Sequence, residues 1–463
     1  MKKLLCGLVA VLVSSTFLLG GCSIFGGNET VLDVTVNNTY DSMTDEQWKE
    51  YKDLLASGGN SGASLQASIN GSLMSGVSIF TSFSYNDLIC YVDSYNGPKQ
   101  VGRLDYHAVY TGAGVIVELD KANGNAYVVT NCHVVFDDTS KETVSRDVRL
   151  FLYGQDARGV NYSLDTQYVY YGGEKVYYRE EDGNEYYLND TAIINDREYC
   201  IPAEVVCASV THDIALLKVT DSNVLKKSGA VVAQFAESDE VYAGSRAYAV
   251  GNPEGDGMSA TLGFVTKESE IIQLNLSDKD ENAYQNYRVI RTDAAINGGN
   301  SGGGFYNEKG ELIGIINSKH TGEEIDNMGY ALPASTVKRL WLLMKDADRL
   351  TLSYGKPYVK AASFPAEYKI ASTVSFINPQ GLAEIAETLV VSSGGSGFKT
   401  GDVLKKLVIA DANGTVKEEK IITRSYHVDD VLLSARSGDV ITFTVMRGGA
   451  ETSVSYNAQL GEI

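Results

Sequence analysis

Three short segments each set one reactive side chain beside an apolar or glycine-rich run: Tyr127-Val-Val-Thr-Asn-Cys-His133-Val-Val, Thr211-His-Asp213-Ile-Ala-Leu-Leu-Lys-Val219 and Asp293-Ala-Ala-Ile-Asn-Gly-Gly-Asn-Ser301-Gly-Gly. A serine hydroxyl is a weak nucleophile near neutral pH. Acyl transfer by serine therefore needs a base to take its proton and a carboxylate to orient that base. Ser301 is the candidate nucleophile, His133 the general base and Asp213 the orienting carboxylate. Each residue alone has a bland reading: a histidine after a strand, an aspartate capping a turn, a serine in a glycine loop. Together, in the chain order His, Asp, Ser, they point to peptide-bond or ester hydrolysis through a covalent intermediate. Glycine beside Ser301 has a physical reason, because the backbone must turn tightly for the N–H groups of Gly299 and Ser301 to converge on a developing oxyanion. The other histidines, His107, His212, His320 and His427, lack comparable settings.

The elements that must hold these residues read as mainly β. The chain has 463 residues, 46 Gly and only 7 Pro, with Val, Thr and Tyr in short runs separated by turn residues, and its length suggests two or three domains. Strands are predicted at Ala113 to Leu119, Ala126 to Asn131, Val148 to Tyr153, Ile214 to Val219 and Leu312 to Asn317. After Pro333 the stripe Val337, Leu340, Trp341 and Met344 predicts a helix. Residues 22–76 read as a tether, with a short helix from Thr44 to about Leu55 and a flexible Ser-, Gly- and Asn-rich linker from Ala56 to Gly76. The catalytic unit spans 77–348 and includes a Tyr-rich, acidic segment at about 165–189, with Gly172-Gly173 and Asp182-Gly183-Asn184 as hairpin turns. A linker from Arg349 leads to a small α+β unit at 366–463. There Val428, Val431, Leu432 and Ala435 form a helical stripe, and Ile441, Phe443 and Val445 alternate as a strand.

The N-terminus reads as a targeting segment. Lys2 and Lys3 precede an apolar run to Leu19, then Gly20-Gly21 and Cys22, a secretory signal peptide over 1–21 with Cys22 as lipidation site and mature N-terminus. The predicted location is extracytoplasmic, lipid-anchored to the bacterial cell membrane. The net charge of −20 argues against a nucleic-acid partner. Cys90, Cys132, Cys200 and Cys207 would meet an oxidising compartment, and the sequence leaves their pairing open. No metal-ligand spacing and no cofactor motif is present. Gly394 to Thr400 lacks the glycine before Lys399 that a phosphate loop needs, which excludes nucleotide binding there.

From about Gly112 to Leu340 the chain resembles the trypsin-fold serine proteases of the HtrA (Deg) family. The likeness rests on Tyr127 to Val135, His212 to Val219, Val250-Gly-Asn-Pro-Glu-Gly255 with Gly263-Phe-Val-Thr266, Ile290 to Gly303, Gly310 to Asn317, and Gly329-Tyr-Ala-Leu-Pro333 to Arg339. It implies a trypsin-like double six-stranded β-barrel with the triad in the cleft, acting on unfolded or damaged polypeptides without cofactor. The final unit resembles the family's PDZ domain through Phe398-Lys-Thr-Gly-Asp-Val-Leu404, Gly438-Asp439 and Arg447-Gly-Gly449, which implies peptide capture by strand addition. In such a fold the pocket for the substrate's acyl-side residue is expected at Ala295, Ile296, Ile315, Ile316, Asn317 and Ser318. No acid stands six before Ser301, so Val, Ala, Ile or Leu is expected there rather than Lys or Arg. The chain departs from the family at Gly304, often Pro, and in the separation of 80 positions from His133 to Asp213, longer than usual. Family members form trimers, but residues 23 to about 76 show no match to their trimerising segment, so a homo-oligomer stays open. The rival reading is a lipoprotein scaffold or chaperone-like peptide binder with little proteolysis.

Overall fold

The computed structural model describes residues 61–92, 95, 99–155, 170–171, 174–175, 177–179, 185–187, 199–236, 241–275, 284–319, 328–346 and 360–462. Cys22 and the helix expected after Thr44 lie outside them.

Helix α1 (Ser61–Leu73) leads into β1 (Gly76–Val92), β2 (Lys99–Asp120) and β3 (Asn125–Thr130), then the one-turn helix α2 (Cys132–Val135) and β4 (Asp147–Leu152). Two small hairpins follow, β5 (Tyr170–Tyr171) with β6 (Glu174–Lys175) and β7 (Tyr177–Arg179) with β8 (Glu185–Tyr187), before β9 (Ile201–Ser209) and β10 (Ile214–Val219). The order β2-β3-β10-β9-β4-β1, with β1 pairing back to β2, closes a six-stranded barrel. Alternating residues such as Val77, Ile79, Val128, Leu150, Ile201 and Leu217 fill it, as the two-residue period of a strand requires. The Tyr-rich segment thus forms two hairpins. The second extends the barrel sheet through Cys90 and Tyr91 of β1, which takes up part of the long spacing between His133 and Asp213.

After α3 (Asn223–Lys227) and β11 (Gln234–Phe235), the second barrel is built from β12 (Arg246–Gly251), β13 (Ser259–Asn275), β14 (Tyr284–Thr292), β15 (Gly304–Asn307), β16 (Glu311–Lys319) and β17 (Gly329–Pro333). Its order is β16-β15-β12-β13-β14-β17, closed by β16 on β17, with β11 added in parallel to β16. Helix α4 (Ala334–Asp346) follows Pro333 and buries Val337, Leu340, Trp341 and Met344, the expected stripe.

The expected linker is corrected by α1. Although Ser, Gly and Asn are poor helix formers, Leu65, Ile69 and Leu73 recur every fourth residue and pack against the hydrophobic cluster that the two barrels share. Buried hydroxyls pin the end of the helix and the turn after it, Ser72 Oγ to Tyr248 Oη at 2.8 Å and Ser75 Oγ to Tyr306 Oη at 3.1 Å. Tertiary packing, not local propensity, makes this helix. The same tyrosines explain Gly304: a Cβ there would lie 2.3 Å from the Tyr306 ring.

The C-terminal unit comprises β18 (Lys360–Ala362), β19 (Glu367–Ile377), β20 (Ala383–Ser393), β21 (Val403–Ala410), β22 (Val416–Ile421), α5 (Tyr426–Leu432), β23 (Val440–Arg447), β24 (Ala450–Asn457) and β25 (Leu460–Glu462). It begins at β18 rather than at Ala366, because β18 pairs with β25 at the far end of the unit and buries Ala361 and Ala362. Its main sheet runs β19-β20-β21-β23-β24 with β22 on β21. Val428, Val431, Leu432, Ala435, Ile441, Phe443 and Val445 share its core. Phe398, which breaks the phosphate-loop pattern, stacks at 4.9 Å on Phe364 and 5.4 Å on Phe443. The unit meets the barrels through ion pairs, Arg288 with Asp430 (2.5 Å), Arg339 with Glu418 (2.6 Å) and Arg436 with Asp346 (3.1 Å). Among the described residues no helix is long and apolar enough to cross a membrane.

Candidate active site

His133 stands in α2, directly after β3, and Asp213 in the turn from β9 to β10. Asp213 is fully buried and left-handed at φ +49°, a conformation that Asp tolerates better than most residues. Its carboxylate is saturated with donors. Oδ2 accepts from His133 Nδ1 at 2.8 Å and from Asn317 Nδ2 at 2.5 Å, and Oδ1 accepts the His133 backbone N–H at 3.0 Å. Asn131, which precedes α2, donates through Nδ2 to the Asp213 carbonyl at 2.9 Å. The imidazole is thus fixed with Nδ1 toward the acid, and the opposite nitrogen has no hydrogen-bond partner among the described residues. One third of the His133 side chain stays exposed.

Ser301 sits in the turn between β14 and β15, held against the first barrel by the Ala113 N–H, which donates to the Ser301 carbonyl at 2.8 Å. The Ser301 hydroxyl donates to the Asn317 carbonyl at 3.0 Å. Gly299 has φ +88°, and a Cβ there would fall 2.1 Å from the Asn252 carbonyl oxygen. The Gly298 carbonyl accepts the Glu254 N–H at 2.8 Å, which turns the next N–H, that of Gly299, to the opposite side of the peptide plane. Among the described residues neither the Gly299 nor the Ser301 N–H has a protein acceptor. Two orphan donors flanking a serine are the arrangement an oxyanion needs.

The pocket residues are the part of the expected site that the structure redraws. Ile315 and Ile316 are fully buried, in two different core clusters on opposite faces of β16. Strand alternation forbids both from facing one pocket. Ile296 is also core, its Cγ1 lying 2.5 Å from where a Cβ on Gly329 would stand. Asn317 is turned onto Asp213 instead of toward a substrate. Ala295 alone among these is exposed, with its carbonyl taking the Thr261 hydroxyl at 2.9 Å; the Ser318 side chain lies outside the described residues. Asn131 and Asn252 were thus missed as site-building residues, and Asn317, expected in the pocket, holds Asp213 instead. Asn131 and Asn252 stand in the segments that carried the resemblance, and their invitation to scrutiny was a buried polar residue beside a reactive one.

Burial pushes the His133 imidazole down, but the charge and hydrogen bond of Asp213 outweigh it and leave the group above its ordinary value near 6.5. A base must be neutral to take a proton, so kcat/KM for a peptide substrate is expected to fall on acidification with a midpoint above 6.5. The same raised value works oppositely on stability. The His133 contribution is fully present below its unfolded pKa and is lost as pH rises through the folded one. A pH–rate profile with its acid limb at or below the ordinary imidazole value would contradict the pairing. Cys132 and Cys207 are buried as free thiols, and burial pushes Cys207 up to about 12 and Cys132 well above its usual range. Neither is a nucleophile at neutral pH.

Two closed six-stranded barrels, the first carrying His133 and Asp213 and the second Ser301, form the trypsin-like fold. A trypsin-like peptidase domain matches residues 112–315. The chain is similar to serine proteases of the HtrA type. It is 26% identical to the "Serine protease Do-like HtrA" of Bacillus subtilis over 74% of this chain and 62% of that protein. With the protein of the same name from Lactobacillus helveticus it shares 25% identity over 66% of this chain and 73% of the relative. It is 27% identical to a "Probable periplasmic serine protease do/HhoA-like" of Haemophilus influenzae, covering 64% and 55%. The match thus spans less than two thirds of the Bacillus subtilis and Haemophilus influenzae proteins. Among solved structures, the HtrA-type protease AlgW with decapeptide matches at TM-score 0.44 and 19% identity, over 86% of this chain and 98% of that one. The serine endoprotease from Yersinia pestis matches at TM-score 0.40 and 16% identity, over 86% and 98%.

Proposed function

We propose that the chain is an extracytoplasmic serine endopeptidase, lipid-anchored through Cys22, that hydrolyses unfolded or damaged polypeptides through an acyl-enzyme at Ser301. The observation that carries this reading is the Asp213 carboxylate clamped on His133 Nδ1, together with a serine whose own N–H and that of Gly299 have no protein acceptor among the described residues. A binding protein has no physical need for that combination. In this mechanism the Ser301 hydroxyl leaves the Asn317 carbonyl for the free nitrogen of His133, and its proton passes to the imidazole as Oγ attacks the scissile carbonyl. The Gly299 and Ser301 N–H groups take the oxyanion, and imidazolium paired with Asp213 returns the proton to the leaving amine. Water repeats the cycle on the acyl-enzyme.

The acyl-side pocket, lacking an acid at position 295, takes small or medium aliphatic side chains, since an unpaired substrate Lys or Arg would be desolvated at a cost of several kcal/mol. The C-terminal unit acts as a PDZ-like peptide-binding domain. Its β19 is a sheet edge with Ile370, Val374 and Phe376 exposed, a surface suited to strand addition. Labelling with a serine-directed fluorophosphonate, combined with cleavage-site profiling on a denatured protein, tests the reading. Wild type should label and cut after Val, Ala, Ile or Leu, and Ser301→Ala should do neither. Labelling that survives Ser301→Ala, with contaminating protease removed, would sink it.

A further inference from the structure

The turn that carries Asp213 is held from the second barrel as well as from the first. Tyr287 lies in β14 and is 2% exposed, with its hydroxyl donating to the Val210 carbonyl at 2.7 Å. That carbonyl also accepts the Asp213 N–H at 3.3 Å, so one oxygen joins the phenol to the left-handed residue that orients His133. Burial, followed by the nearby Asp213 carboxylate and Cys132, raises the phenol above its ordinary range and keeps it a donor. The next residue, Arg288, points the opposite way along the strand. It is ion-paired to Asp430 at 2.5 Å, bonded to Thr336 Oγ1 at 2.9 Å and laid 4.0 Å over the Tyr426 ring. The strand is therefore anchored on its outer side by the C-terminal unit and presents Tyr287 inward.

We infer that Tyr287 is a positioning residue for catalysis: its hydroxyl ties the second barrel to the Val210–Asp213 turn and so sets how the Asp213 carboxylate faces His133. The inference rests on the triad reading above. The β9–β10 turn belongs to the first barrel and Ser301 to the second, so a bond across the two at this turn sets the register between acid–base pair and nucleophile. Packing alone needs no hydroxyl there, because phenylalanine would fill the same volume. The bond is expected to act on kcat, since it touches no substrate-binding surface.

The test is Tyr287→Phe in the full chain, measured by peptide hydrolysis as a function of pH. The expected result is an approximately tenfold lower kcat, little change in KM, and an acid limb displaced to lower pH. Displacement follows because a loosened Asp213 no longer raises His133. A residue that only stabilised the fold would lower the melting temperature and leave kcat and the limb in place; that outcome overturns the inference. Should the variant fail to fold, ring-labelled tyrosine in the wild-type protein supplies the second measurement. A slowly exchanging Tyr287 hydroxyl proton is expected, and exchange as fast as that of an exposed tyrosine overturns the inference too. Failure of the underlying triad would show separately, as hydrolysis persisting in Ser301→Ala.

Discussion

Ser301→Ala and His133→Ala are each expected to lower kcat for peptide hydrolysis by about a millionfold, and the double variant to lose no more than either single one. The two residues act as one device. Without the hydroxyl there is nothing for the imidazole to deprotonate, and without the imidazole the hydroxyl keeps its proton. Asp213→Asn should cost about ten thousandfold, because an amide in place of the carboxylate presents a donor or a neutral oxygen to Nδ1 and the imidazolium that forms is no longer paired. The folded state should survive Ser301→Ala, since the hydroxyl contributes one hydrogen bond, to the Asn317 carbonyl. Asp213→Asn is a harsher structural change. The site is fully buried and every oxygen of the carboxylate has a donor, so an amide there places N–H against N–H. Its loss of activity must be read beside a thermal melt. Additive losses in Ser301→Ala/His133→Ala would mean that the two residues act independently, against the mechanism proposed here.

The proposed triad could be read from the sequence because its chemistry and its neighbours travel together: three reactive side chains, each beside an apolar or glycine-rich run, follow in the order His, Asp, Ser. The barrel strands and the α4 stripe were legible through their periods. Residues 61–73 were not, because a Ser- and Gly-rich helix exists only through contacts with Tyr248 and with the hydrophobic cluster shared by the two barrels, far away in sequence. The pocket was misdrawn by ignoring parity along β16. Ile315 and Ile316 take opposite sides, and Asn317, at an irregularity in the pairing of β16 with β17, turns onto Asp213, so the three side chains have no common pocket to line. Arg288 and Asp430 lie 142 residues apart, and no local pattern announces such a pair.

Gly299→Ala is expected to cost about a hundredfold to a thousandfold in kcat, the effect of removing one oxyanion donor, while KM changes little. Two features of the backbone force this. The residue sits at φ +88°, which an L side chain rarely adopts, and the added Cβ would stand 2.1 Å from the Asn252 carbonyl oxygen. Asn252 cannot yield cheaply. It is fully buried, its Nδ2 donates to Thr111 Oγ1 and to the Gly112 carbonyl at 3.1 Å each, and its Oδ1 accepts the Gly257 N–H at 2.8 Å. The turn at Gly299 must therefore rotate, and its N–H swings away from the place where the oxyanion forms. The neighbouring glycine supplies the control. A Cβ on Gly298 meets only Glu254 Oε1, at 3.8 Å, so Gly298→Ala should keep activity within a few-fold of wild type. Circular dichroism and a thermal melt on both variants separate a displaced donor from a lost fold, and a Gly299→Ala enzyme with near-wild-type kcat would remove this N–H from the mechanism.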